Sequence, residues 1–100
     1  MARTIQELTE EMHRFVASKG FYGADTPRPQ VPRNLAISLV LEASEVLEHF
    51  QWGEQADPER LGDELADVAL YLLQLASVSG IDLEQSILRK LEKNRGREWT

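Results

Sequence analysis

The chain contains no cysteine. Disulfides and thiolate metal sites are therefore excluded. No apolar run approaches the roughly 20 residues that a membrane helix needs. The opening stretch MARTIQELTEEMHRF also lacks the apolar centre of a signal peptide. The expectation is a cytoplasmic protein with no membrane segment. Histidine is scarce, with only His13 and His49 present. A di-iron bundle takes a Glu-x-x-His pair from each of two helices. His49 follows Glu45 by four residues rather than three, so two such pairs cannot be assembled. Both histidines read as ordinary surface or rim residues. Positive charge is short as well: 11 Lys and Arg stand against 17 Asp and Glu, a net charge of −6. Proteins that bind nucleic-acid polymers do so mainly by neutralising phosphates, so no such partner is expected.

What remains, at 42% apolar and 28% charged, is ordinary for one globular domain spanning residues 1–100. No strand pattern occurs, and four helices account for the apolar periodicity. Thr4-Ile5-Gln6-Glu7 fits a capping box and opens a stripe of Ile5, Leu8, Met12, Phe15 and Val16, which Gly20 stops. Residues 20–33 carry Pro27, Pro29 and Pro32 and read as an extended loop. Loops this long in so small a domain are disproportionately functional. The second helix is expected from residue 32 or 33 to residue 52. After a short turn, Asp57-Pro58 supplies an N-cap and an N1 proline for a third helix reaching about residue 79, where Gly80 closes it. Asp82 caps the fourth, with Gln85 completing a weak capping box, and that helix frays near Gly96. The predicted fold is all-α, an antiparallel four-helix bundle. Its second and third helices are apolar on too many sides for a lone small protein. The core is therefore expected to be completed by homo-oligomerisation, as a symmetric assembly.

Two stretches carry acids inside otherwise apolar sequence. Glu42 and Glu45 lie in LVLEASEVLEHFQW, and Glu64 and Asp67 in GDELADVALYLLQLA. Each pair is spaced i, i+3 and shares a helix face. Like charges brought into a dry interior take up protons or acquire a counter-ion. Packed face to face, the four would offer an all-oxygen site suited to Mg²⁺ or Mn²⁺. The competing reading is a solvated acidic stripe. It suits helix three, whose first turns favour acids, better than helix two, where the acids are mid-helix among Leu39, Val40, Leu41, Val46 and Leu47.

Residues 89–97, RKLEKNRGR, hold five basic residues and one acid. Cations late in a helix complement its dipole. Lys90, Asn94 and Arg97, however, fall at i, i+4 and i+7, a single stripe suited to phosphate and base contacts. Trp52 offers either a packing aromatic or a stacking surface for a ring. Tyr71, one turn after Asp67, is either a core tyrosine or a hydroxyl for a phosphate. Ser38, one turn before Glu42, shares the acid face but is too weak a signal to name as a ligand.

Taken together, Glu42-x-x-Glu45 and, 18 intervening residues later, Glu64-x-x-Asp67 resemble the MazG-like all-α nucleoside triphosphate pyrophosphohydrolases. PRNLAISLVLEASEVLEHFQW resembles that family's first metal helix, especially in its dCTP pyrophosphatase branch. DELADVALYLLQLA resembles the second, and KLEKNRGR its Lys-x-x-x-Asn segment. The resemblance implies Mg²⁺-dependent cleavage of a (deoxy)nucleoside triphosphate to the monophosphate and pyrophosphate, a nucleotide-pool house-cleaning reaction. It makes Glu42, Glu45, Glu64 and Asp67 the metal ligands, with Glu45 or Glu42 also the catalytic base. It makes Lys90, Asn94, Arg97, Tyr71 and Trp52 the substrate contacts. It implies a homodimer or homotetramer with sites near subunit interfaces. Where dCTP-cleaving relatives have His-Gln-Pro-Arg-Asn, this chain has Gln30-Val31-Pro32-Arg33-Asn34, so base preference is left open. The reading from a different class is a non-catalytic helical module that binds nucleotides or a protein.

Overall fold

The computed structural model describes residues 2–97. They form four helices: α1 (Ile5–Ser18), α2 (Pro32–Glu48), α3 (Pro58–Val78) and α4 (Leu83–Arg95). No strand occurs among the described residues, and no single helix there is long and apolar enough to cross a membrane.

The start of α1 forms as its sequence predicts. The Thr4 hydroxyl accepts from the Glu7 N–H at 3.0 Å, and the Glu7 carboxylate accepts from the Thr4 N–H at 3.0 Å. Two donors that a helix start otherwise leaves unpaired are thus satisfied. Of the α1 stripe, Met12 and Val16 are buried, whereas Leu8 and Phe15 are exposed. Gly20 (φ +74°) and Gly80 (φ +70°) close the turns after α1 and α3 in the left-handed region that other residues avoid.

Two helix ends depart from expectation. α2 stops at Glu48, and Trp52 is not on it. The His49, Phe50 and Gln51 amides bond to Val46, Leu47 and Glu48 at 3.2, 3.0 and 3.3 Å, all i→i−3, so the chain tightens into successive turns. At α3, Asp57 occupies the N-cap position but its side chain makes no capping bond. Asp82, by contrast, accepts from the Gln85 N–H at 3.1 Å, the one arm of a box that forms there.

α2 and α1 both pack against α3. The end of α2 meets the start of α3 and the start of α2 its later turns: His49, just after α2, reaches Glu64, Glu42 reaches Glu64 and Asp67, and Leu35 shares a cleft with Tyr71 and Gln74. The two helices are therefore antiparallel, as their short connection requires. The core lies where Met12 and Val16 of α1, Leu35 of α2 and Ala76 of α3 converge. Between α3 and α4 the axis turns by 102°, so α4 leaves the line of α3 after Gly80. Outward faces of α2 stay uncovered within one chain, with Val40 65% and Leu47 73% exposed.

Candidate metal centre

The antiparallel packing of α2 on α3 brings their acids together. Glu42, Glu64 and Asp67 each place a carboxylate oxygen so that the three atoms lie within 4.8 Å of one another. Glu64 and Asp67 share a face because they are one turn apart, and Glu42 enters from the facing helix. Glu45 stands beside this triad, against Glu42 and Glu64.

The electrostatics follow from the crowding. A hydrogen bond shared with Glu64 raises the Glu42 carboxyl above its ordinary value, and burial and the charges of Glu64 and Asp67 push the same way. Glu45 is raised as well, first through its hydrogen bond with Glu42 and then by that group's charge. The crowding of like charges favours the protonated form of both carboxyls. Three oxygens from three carboxylates, with no nitrogen or sulfur among them, fit a hard divalent cation. The acids come from two helices rather than one, with Glu42 and Glu64 half-buried and Asp67 exposed.

The acids sit between two clefts. One, of about 470 Å³, opens from Asp67 and is walled by Ser38, Tyr71, Phe15, Phe21 and Gln30. The other, of about 540 Å³, opens from Glu45 and Glu64 and is walled by His49, Trp52, Arg60 and Glu48. Tyr71 thus accompanies Asp67, while Trp52, 92% exposed, lies on the opposite side. Lys90, Asn94 and Arg97 line neither cleft, since α4 has turned away.

Neither histidine is an idle surface group. His49 Nε2 lies 3.6 Å from Glu64 Oε1, with both side chains mostly buried (20% and 14% exposed). His13 touches the Tyr22 hydroxyl through Nδ1 at 2.5 Å and Ser77 Oγ through Nε2 at 2.7 Å. Gln74, buried in α3, donates to the Tyr22 hydroxyl at 3.2 Å and to Gln30 Oε1 at 2.8 Å. Burial raises the Tyr22 phenol above its ordinary range, partly offset by the Gln74 hydrogen bond. None of these polar groups carries a spacing signal. The only hint was the length of the loop holding Tyr22 and Gln30.

A sequence model of the MazG-like family matches residues 37–99. Mouse dCTP pyrophosphatase 1 is 42% identical over 76 residues, which cover 66% of this chain and 45% of that protein. The human dCTP pyrophosphatase 1 is 41% identical over a stretch of the same length. The chain therefore spans about half the length of these curated relatives. A crystal structure of a pyrophosphatase from Archaeoglobus fulgidus aligns with a TM-score of 0.73 at 33% identity, covering 94% of this chain and 91% of that one.

Proposed function

The chain belongs to the MazG-like family, and from that premise we propose that it is a divalent-metal-dependent nucleoside triphosphate pyrophosphohydrolase. Water attacks the α-phosphorus of a (deoxy)nucleoside triphosphate, the bond to the β-phosphate oxygen breaks, and the (deoxy)nucleoside monophosphate and pyrophosphate leave. The observation that carries this reading is the convergence of Glu42, Glu64 and Asp67 oxygens from two facing helices. The names of the similar proteins, dCTP pyrophosphatase 1 and a pyrophosphatase, agree with it.

Glu42, Glu45, Glu64 and Asp67 would hold Mg²⁺, or Mn²⁺ in its place. When bound, the metal neutralises triphosphate charge and makes water more acidic. Phosphoryl transfer needs little beyond this and an aligned nucleophile. Glu45 stands outside the tight triad, and its raised affinity for a proton suits a group that accepts one from the attacking water. Tyr71 lines the Asp67 cleft and would donate its hydroxyl to a phosphate. Trp52 offers its ring from the other cleft.

Lys90 and Asn94 of α4, with Arg97 just after it, would reach the acids from a second subunit in a homodimer or homotetramer. That assembly would cover the open face of α2 and complete the bundle. The setting is the cytoplasm and the task nucleotide-pool house-cleaning.

The test is pyrophosphate release from a panel of ribo- and deoxynucleoside triphosphates with Mg²⁺, run beside Glu45→Gln. Loss of a general base costs roughly 10²–10⁴-fold, and the variant is expected within that range. If the wild type leaves every nucleotide intact under Mg²⁺ and Mn²⁺, the hydrolase reading fails and a binding module takes its place.

A further inference from the structure

The cleft beside Asp67 ends in a chain of polar side chains that the proposed chemistry does not use. Gln30 Nε2 donates to the Arg28 carbonyl at 2.6 Å, and Gln30 Oε1 accepts from Gln74 Nε2 at 2.8 Å. A backbone carbonyl can only accept, so the Gln30 atom facing Arg28 must be the nitrogen and the atom facing Gln74 the oxygen. Gln74 is then obliged to present its own nitrogen, whose other hydrogen goes to the Tyr22 oxygen at 3.2 Å. The Tyr22 proton is left for His13 Nδ1 at 2.5 Å. An imidazole that accepts there carries its hydrogen on Nε2 and gives it to Ser77 Oγ at 2.7 Å. One carbonyl sets the sense of the bonds from Gln30 through Gln74 to Tyr22.

A buried amide such as Gln74, 3% exposed, is costly unless it is satisfied. The effect of the network lies at its cleft end. Gln30 spends one amide hydrogen and one oxygen lone pair internally, which leaves one donor and one acceptor, in fixed order, on a residue that lines the cleft. Phe15 and Phe21 line the same space and offer apolar faces to a ring. We propose that Gln30 reads the edge of the nucleobase, and that Gln74, Tyr22 and His13 are positioning residues that prevent its amide from turning over. This rests on the acids being the triphosphate site. An amide free to flip presents either order of donor and acceptor. A locked one leaves an unpaired polar group against the wrong base.

The experiment measures equilibrium binding of α,β-methylene analogues of dATP, dCTP, dGTP and dTTP with Mg²⁺ to the wild type, Gln74→Met and Tyr22→Phe. The wild type should favour one base. Both variants should lower that preference about three- to tenfold by weakening the favoured base most. Tyr22→Phe decides alone if Gln74→Met fails to fold. An equal loss for all four bases would mean that the network only braces the loop, and the inference is overturned. It is overturned too if the wild type binds all four alike or binds none. Pyrophosphate release from the unmodified triphosphates is scored separately. Base-selective binding without turnover sinks the hydrolase reading and leaves this one standing.

Discussion

Carboxylates one turn apart on a helix are usually solvated. Glu42 differs because Glu64 and Asp67 approach it from another helix. Its carboxyl is raised above 4.5 by sharing a proton with Glu64 and by burial, so the folded chain holds that proton more tightly than the unfolded chain does. The stabilisation from this group is complete below the unfolded value and is lost as pH rises through the raised one. In EDTA, Glu42→Gln should therefore melt progressively higher than wild type as pH rises above the ordinary carboxylate range. A difference that stays constant with pH would contradict the linkage. Millimolar Mg²⁺ at neutral pH should then raise the wild-type midpoint and raise that of Glu42→Gln less, since a ligand bound only by the native state stabilises it. Equal shifts would remove Glu42 from the ligand set.

Helix termini make the next contrast. Thr4, Asp57 and Asp82 all read as N-caps, yet only Thr4 and Asp82 make capping bonds. Thr4→Ala and Asp82→Ala should each lose about 1 kcal/mol in urea unfolding, and Asp57→Ala only a few tenths. Gly80→Ala meets no atom within 4 Å, so its cost is the left-handed backbone alone, about 1–2 kcal/mol. The extent of α2 was less legible. Its apolar pattern continues to Trp52, but the backbone bonds after Glu48 tighten into turns. That shift moves Trp52 off the helix and into the wall of the cleft shared by Glu45 and Glu64.

For the whole molecule, the chain turns by 102° before α4, and the basic stripe lines neither cleft beside the acids. If the stripe serves a neighbouring subunit, Glu45→Gln and Lys90→Ala should each be inactive alone and complement each other. Refolded together, random pairing gives one intact site in half of the dimers, about a quarter of wild-type turnover. Sedimentation run alongside should show a dimer or tetramer. A monomer that still turns over would require α4 to reach the site of its own chain.

Local pattern alone determined the four helices, the capped starts of α1 and α4, the glycine stops and the two pairs of acids, because helical periodicity and end chemistry act over a few residues. The pairing of the candidate acids was legible for the same reason, since i, i+3 spacing puts each pair on one helix face. Tertiary structure alone decided which acids share one space, that His49 leans on Glu64, and that His13, Tyr22, Gln74 and Gln30 form one directed chain. Those contacts join residues 13, 22, 30, 74 and 77, and no periodicity along the chain encodes partners so far apart. They arise because α3 packs against both α1 and α2 and holds the loop between them.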